Sequence, residues 1–290
     1  MTPPHKGFYM KEFKEKFARL IFICTACISI LAVALICVFL FANGIPGMRR
    51  IGVWNFLSGT KWKPGNDVYG ILPMILGSVY VTAGALIVGV PAGLLTAVFM
   101  SRFATKQQVK ILRPAVSLLA GIPSVVYGFF GLVVIVPAVR EIFGGSGSSL
   151  LSACLLLGMM ILPTIITVSE SALNAVPVSY YEGALALGAT HERSVFSVVL
   201  PAAKSGVMAG VILGVGRAIG EAMAVMMVAG NRTGMPKGLT KGVRTLTSNI
   251  VMEMGYAADL HREALIATAV VLFVFILIIN LMFSLLKGRK

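Results

Sequence analysis

Hydrophobic residues along the chain gather into six runs, each near the ~20 apolar residues that carry a helix across a bilayer. The runs are Leu20 to Ala42, Ile71 to Met100, Pro114 to Val139, Leu150 to Val168, Ser205 to Gly230 and Ala264 to Leu286. This pattern predicts an all-α integral membrane protein with six transmembrane helices. Residues 1–19 then form a cytoplasmic N-terminal segment and residues 20–290 the transmembrane domain. Pro91 and Pro123 interrupt the long second and third runs, where tilted or kinked helices are expected. Pro163 makes the fourth run the least regular.

An even number of crossings leaves both termini on one side, and Lys and Arg should mark the cytoplasmic one. The N-terminal segment carries Lys6, Lys11, Lys14, Lys16 and Arg19, and the tail carries Lys287, Arg289 and Lys290. Arg102, Lys106, Lys110 and Arg113 follow the second run, and Arg193 and Lys204 precede the fifth. That side holds 14 basic residues against 10 on the other, so both termini are placed in the cytoplasm. The first run exceeds the 7–15 residues of a signal-peptide core, and no small-x-small cleavage site follows it. Ile36 is too large for the position before a lipoprotein Cys37, so the run is read as an uncleaved anchor. Residues 11–17 suit an amphipathic interfacial helix leading into it.

Composition agrees with a membrane bundle. Hydrophobic residues make up 57% of the chain and charged residues 12%, about half the soluble average. The net charge of +14 is what span-flanking anchors at anionic headgroups produce, and does not argue for nucleic acid. The outward basic residues suit interfacial anchoring, an anionic solute or an acidic partner. Cys24, Cys27, Cys37 and Cys154 lie inside runs, where cysteine behaves as a small apolar residue. His5, His191 and His261 are scattered, so no histidine cluster points to a metal. No phosphate-binding G-x-x-x-x-G-K-[ST] loop occurs, so ATP hydrolysis is not expected on this chain. Gly214, Gly216 and Gly220 lie within a run and miss the spacing of a dinucleotide fingerprint. Gly206, Gly210 and Gly214 instead form a small-residue ridge that lets helix backbones approach closely, with Gly216 and Gly220 on another face.

One run holds both signs of charge. Arg217 and Glu221 are four residues apart in the fifth run, so on a continuous helix they share a face. A charge at the centre of a span costs ~2.5–3.5 kcal/mol on insertion scales, and such residues usually face the bundle interior or an aqueous path. Two readings stand side by side: a lining or gate of the solute path, or a structural ion pair within the helix or to a partner.

The connection of residues 170–204 is too apolar for a solvated linker. Pro177 can open a short helix that Gly188 ends, and a second begins near His191 and reaches Pro201. Glu182-Gly183-Ala184, three residues, Gly188, nine residues and Val198-Val199-Leu200-Pro201 resemble the E-A-A-x3-G-x9-I-x-L-P loop of ABC-importer permeases. Gly183 for Ala and Val198 for Ile are the departures. The resemblance implies a type I importer fold whose loop forms a coupling helix against an ATPase subunit. Glu182, Gly183, Ala184, Gly188, Leu200 and Pro201 are its coupling residues, with Glu182 expected in the first turn of its helix. The segments Gly121-Ile122-Pro123-Ser124-Val125-Val126-Tyr127-Gly128-Phe129-Phe130-Gly131 and Gly216-Arg217-Ala218-Ile219-Gly220-Glu221-Ala222-Met223-Ala224-Val225 resemble phosphate-importer permeases, in wording nearer the PstC-type than the PstA-type subunit. The resemblance covers roughly Ile71 to the C-terminus.

Membership would imply a PstA-type partner permease, an ATPase dimer and an extracytoplasmic phosphate-binding protein. ATP and Mg would sit on the ATPase, with no cofactor on this chain and membrane lipid around it. The inferred substrate path holds Arg217, Glu221, Ser124 and Tyr127. The two hydroxyls either meet the anion where Pro123 frees backbone groups or satisfy a neighbouring helix. Outward segments Asn43 to Gly70 and Asn231 to Arg262 would meet the binding protein. Alternatives are a permease for sulfate or molybdate, the PstA-type half, or a gated channel working without ATP. An intramembrane enzyme would need a nucleophile or metal constellation that is not seen.

Overall fold

The computed structural model describes residues 6–288, and the side chains of residues 15–282. Helix α1 (Lys6–Ile51) runs unbroken through the first apolar run and on past Pro46. The amphipathic face expected over residues 11–17, and the side chains of Lys6, Lys11, Lys14, Lys287, Arg289 and Lys290, lie wholly or partly outside the described residues. A short helix, α2 (Val53–Ser58), then leads to a two-stranded hairpin, β1 (Trp62–Lys63) and β2 (Val68–Tyr69), with Trp62 opposite Tyr69.

Helix α3 (Leu72–Val98) continues through Pro91 and finishes in a π-helical turn, Phe99–Phe103. The third run departs from expectation. Residues Lys106–Gly121 form a separate amphipathic helix, α4, opened by a capping box between Thr105 and Gln108. The chain breaks at Ile122 and Pro123, because a proline cannot extend a helix before it. The membrane-spanning segment is therefore Ser124–Phe143, not Pro114 to Val139. It comprises α5 (Ser124–Phe130), a π turn (Gly131–Ile135) and α6 (Val136–Phe143).

Helix α7 (Leu150–Asn174) is the central post, capped by the Ser149 hydroxyl on the Ser152 amide. It runs through Pro163 and past the predicted end at Val168, so the coupling segment starts after Asn174. That segment holds α8 (Val178–Ala186), α9 (His191–Ser194), a π turn (Val195–Val199) and α10 (Leu200–Ala202). A 70° bend leads into α11 (Lys204–Gly220), followed by α12 (Met223–Val228), α13 (Leu246–Glu253) and α14 (Asp259–Gly288). Among the described residues five helices are long and apolar enough to cross a membrane, and a sixth crossing is bent.

Small residues set the packing around α7. A Cβ on Gly89 of α3 would sit 2.7 Å from Ile161, and one on Gly93 2.9 Å from Ile165. The predicted ridge on α11 faces α7 from another side: Gly210 lies over Val168 and Ser169, and Gly214 over Ile165. Gly216 and Gly220 meet open space, as their different face requires. Leu156, Leu157, Met160, Ile161 and Ile165 are consequently fully buried. By contrast, the apolar length of α1 from Glu15 is exposed until Gly44 and Gly47 let it close onto α14.

Candidate functional site

The fifth run is not one helix. Helix α11 stops at Gly220, and Glu221 takes an extended conformation (φ −75°, ψ 122°) before α12 begins at Met223. A residue with that ψ leaves the 100°-per-residue spiral, so the shared helix face expected of Arg217 and Glu221 does not form. Among the described residues no ion pair joins them. Glu221 is engaged twice elsewhere. Its Oε1 accepts the Ala224 amide at 3.0 Å, and its carbonyl accepts the Thr247 hydroxyl of α13 at 3.0 Å. Arg217 lies in the last turn of α11 and Glu221 just before α12, so each sign sits at the helix end its dipole favours.

Arg217 is half-buried, on the side of α11 where Leu213 and Gly220 are exposed. Its guanidinium makes no hydrogen bond or ion pair to a described residue. Its charge is within electrostatic reach of Tyr127. Tyr127 is buried on α5, and its hydroxyl donates to the Leu119 carbonyl at 2.9 Å, across the Pro123 break. Ser124 opens α5 on the same face, three residues earlier, and its hydroxyl has no partner among the described residues. Glycines bring α5 and α12 together: a Cβ on Gly128 would lie 3.1 Å from the Ala224 Cα, and one on Gly131 2.8 Å from Val228. The two broken spans thus pack on one another through α5 and α12, with Tyr127 within electrostatic reach of Arg217 and Ser124 one turn from Tyr127 on α5. Glu221 lies at the α11–α12 break.

The coupling hairpin forms as spaced. Pro177 precedes α8, and Gly188 adopts a left-handed φ of +84° after it, a conformation that a side chain resists. Glu182 departs from expectation: no acidic residue lies in the first turn of α8, so its carboxylate sits mid-helix and exposed, not at the dipole end. Gly183, Ala184 and Gly188 line a cavity of about 550 Å³ with Tyr180, Leu187 and Arg193. Leu187 is 92% exposed there. Leu200 packs on the cluster of Ala97, Leu173, Val195 and Val199, and Pro201 is exposed at the turn into α11. A Tyr181–His191 hydrogen bond of 2.7 Å holds the two arms together.

A second polar centre was not foreseen. Glu253 is buried at the end of α13 and binds Arg244 Nη1 at 2.5 Å, Trp62 Nε1 at 2.8 Å and His261 Nε2 at 2.8 Å. The His261 ring stacks on Tyr69, whose hydroxyl donates to Asp67. Burial, and then that bond, push the Tyr69 phenol up to about 12. These residues come from three separated segments, so no local spacing announces them.

Residues 89–290 match the family of binding-protein-dependent transport system inner membrane components. The chain belongs to this family. It is 37% identical over 287 residues to the probable ABC transporter permease protein YqgH of Bacillus subtilis (strain 168), covering 97% of this chain and 93% of that protein. It is 32% identical to the phosphate transport system permease protein PstC of Mesorhizobium japonicum, covering 81% and 78% of the two chains. With PstC of Haemophilus influenzae the identity is 31%, over 91% and 87%. Among solved structures, the permease overlays on a chain of a bacterial importer of the polysaccharide alginate with a TM-score of 0.63, at 15% identity, over 97% of this chain and 99% of that one. A chain of the MetNI methionine transporter gives 0.56, at 21% identity, over 75% and 93%. The fold is that of type I ABC importer permeases. The permease is accordingly a multi-pass inner-membrane transport subunit rather than an enzyme, and works with a substrate-binding protein and an ATPase.

Proposed function

We propose that this permease is the PstC-type subunit of an ATP-driven phosphate importer. It would pair with a PstA-type permease, two ATPase subunits and an extracytoplasmic phosphate-binding protein. Both termini would be cytoplasmic, and ATP and Mg would be held by the ATPase alone. The observation that carries the reading is Arg217: a guanidinium with no hydrogen-bond or ion-pair partner among the described residues, inside a sequence segment worded as in PstC-type permeases. The PstC relatives from Mesorhizobium japonicum and Haemophilus influenzae support the substrate.

An anion cannot enter hydrocarbon without a partner, and a forked guanidinium matches tetrahedral oxygens with parallel donors. An Arg already bound to its own carboxylate would have to surrender that bond first, whereas Arg217 starts free of one. Ser124 offers a hydroxyl on α5, one turn from Tyr127. Closure of the ATPase is read by the α8–α10 hairpin and passed through the 70° bend into α11, the helix that carries Arg217.

The test is ATP-dependent uptake of labelled phosphate by vesicles holding the complete importer, with sulfate and molybdate as competitors. Phosphate uptake that needs this chain, resists both competitors and falls with Arg217→Gln is expected. Uptake displaced by sulfate or molybdate would reassign the substrate, and uptake without ATP would overturn the coupling role of residues 178–202.

A further inference from the structure

An ion pair lies near the end of α7 that leads into the coupling segment. Glu170 sits on the buried side of α7, its side chain 10% exposed, and accepts a 2.5 Å hydrogen bond from Nη2 of Arg113 on α4. The Arg113 side chain is 62% exposed, so the carboxylate holds the guanidinium from behind and leaves its outer flank open. Helix α4 is held here by Leu112 and Val116, which pack with Met100, Leu162 and Ile166 beside the pair.

The pair opens into a cavity of about 370 Å³ whose polar walls include Ser117, Thr167 and Asn174. Ser117 and Ser171 spend their hydroxyl hydrogens on the Arg113 and Thr167 carbonyls, and the free donors come from three other residues. Arg113 uses one of its N–H groups on Glu170, and a guanidinium has five. Asn174 accepts from the Ser101 hydroxyl through its carbonyl oxygen at 2.6 Å, which leaves its amide N–H groups to donate. The exposed Thr167 hydroxyl has no partner among the described residues. One carboxylate lines the cavity, and its Oε1 is engaged by Arg113. A donor-rich hollow around a half-exposed cation is a receptor for an oxyanion.

Its depth follows from the α7–α11 register. Gly210 lies over Val168 and Ser169, and Gly214 over Ile165, so Arg217 is level with about residue 162 of α7. Glu170 is then some eight residues further along α7, about 12 Å at 1.5 Å per residue. We propose that Arg113, backed by Glu170, forms an inner oxyanion station that receives phosphate from the level of Arg217 before release to the cytoplasm. The assignment of phosphate rests on the importer reading above. Two stations, each weak enough to release, conduct better than one tight site.

The experiment uses the complete importer in nanodiscs, with the native cysteines replaced and Thr167→Cys introduced. A negatively charged thiol reagent modifies this cysteine, and inorganic phosphate is the probe. Expected is modification slowed about tenfold by phosphate relative to chloride at equal ionic strength, with the protection lost in Arg113→Gln and kept in Arg217→Gln. Absence of protection, or protection that survives Arg113→Gln, overturns the station. Protection in a complex that shows no ATP-driven phosphate uptake would leave the station standing and remove the importer reading. Normal uptake without protection would do the reverse. Because the first arm keeps Arg113 and Glu170 intact, it stands even if Arg113→Gln fails to assemble.

Discussion

Replacing Glu253 by Gln tests whether the unforeseen polar centre holds the β1–β2 hairpin against α13 and α14. The Glu253 and Arg244 side chains are 8% and 11% exposed, so solvent screens their interaction little. Breaking such a pair by removing one partner costs ~3–5 kcal/mol, because the remaining charge stays buried. The lower end applies here, since Arg244 also donates to the Asn231 carbonyl and to Asn249 Oδ1. Gln keeps one acceptor oxygen but turns an amide donor toward three donors: Arg244, Trp62 and His261. A loss of about 3 kcal/mol raises the opening constant of this region by roughly two decades. Hydrogen exchange of amides in residues 62–69 and 245–253 measures that factor in the assembled complex. The double variant Arg244→Met, Glu253→Met removes both charges and should recover most of the loss. It should stay about 1 kcal/mol below wild type, because Trp62 Nε1 has lost its acceptor. Exchange of Glu253→Gln within about threefold of wild type, or simple additivity in the double variant, would refute the reasoning.

Three further outcomes are expected. Gly210→Val should lower the melting temperature of the complex, since a Cβ there already lies 3.2 Å from Val168 and 3.3 Å from Ser169 Oγ; overpacking of this kind costs ~1–3 kcal/mol. The Tyr69 phenol, pushed up to about 12 from 10.0, should ionise late in an alkaline absorbance titration. Its folded-state value is the higher one, so its contribution to stability is intact below pH 10 and is lost as pH rises toward 12; ionisation near 10 would contradict the burial argument. Glu182→Lys should leave the complex assembled while ATP hydrolysis proceeds without uptake, measured as phosphate released against phosphate imported.

What the sequence shows well is whatever the bilayer and the helix period dictate. Apolar runs located the crossings, and the spacing of Gly206, Gly210 and Gly214 identified the face that meets α7. Pro177 and Gly188 marked the ends of α8 because proline fixes its φ and glycine permits the left-handed turn that follows the helix. Apart from Glu182, misplaced by the position of the first turn of α8, the errors share one origin: a composition window cannot see where a helix breaks. Pro123 was visible, yet Lys106–Gly121 and Ser124–Phe143 merged around it because Pro114 to Gly121 is itself mostly apolar. The break at Glu221 follows Gly220 in a run without proline, and is stabilised by Thr247, 26 residues away. Arg113–Glu170 and Arg244–Glu253–His261 are contacts between separated elements, which no spacing rule reaches.

That break changes what the pair of charges means, and Glu221 can be dissected accordingly. On a continuous helix Arg217 and Glu221 would neutralise one another, and the span would present a self-satisfied pair to the anion. With the helix broken, the Glu221 carboxylate is spent on the Ala224 amide and its backbone on Thr247, so Arg217 keeps its charge available. Glu221→Gln retains a carbonyl oxygen for the amide and removes the charge, whereas Glu221→Ala removes both. If Glu221 serves as a helix cap alone, Gln should match wild type in uptake and stability, and Ala should lose about 1 kcal/mol. If its charge also sets the potential that the anion meets, the two variants should differ in melting temperature yet share the same change in uptake. Phosphate uptake and thermal unfolding of the same purified complexes separate the two, because only the cap contributes to unfolding and only the charge is common to both variants. Equal melting temperatures for Gln and Ala would remove the cap, and with it the reason that Arg217 stands unpaired.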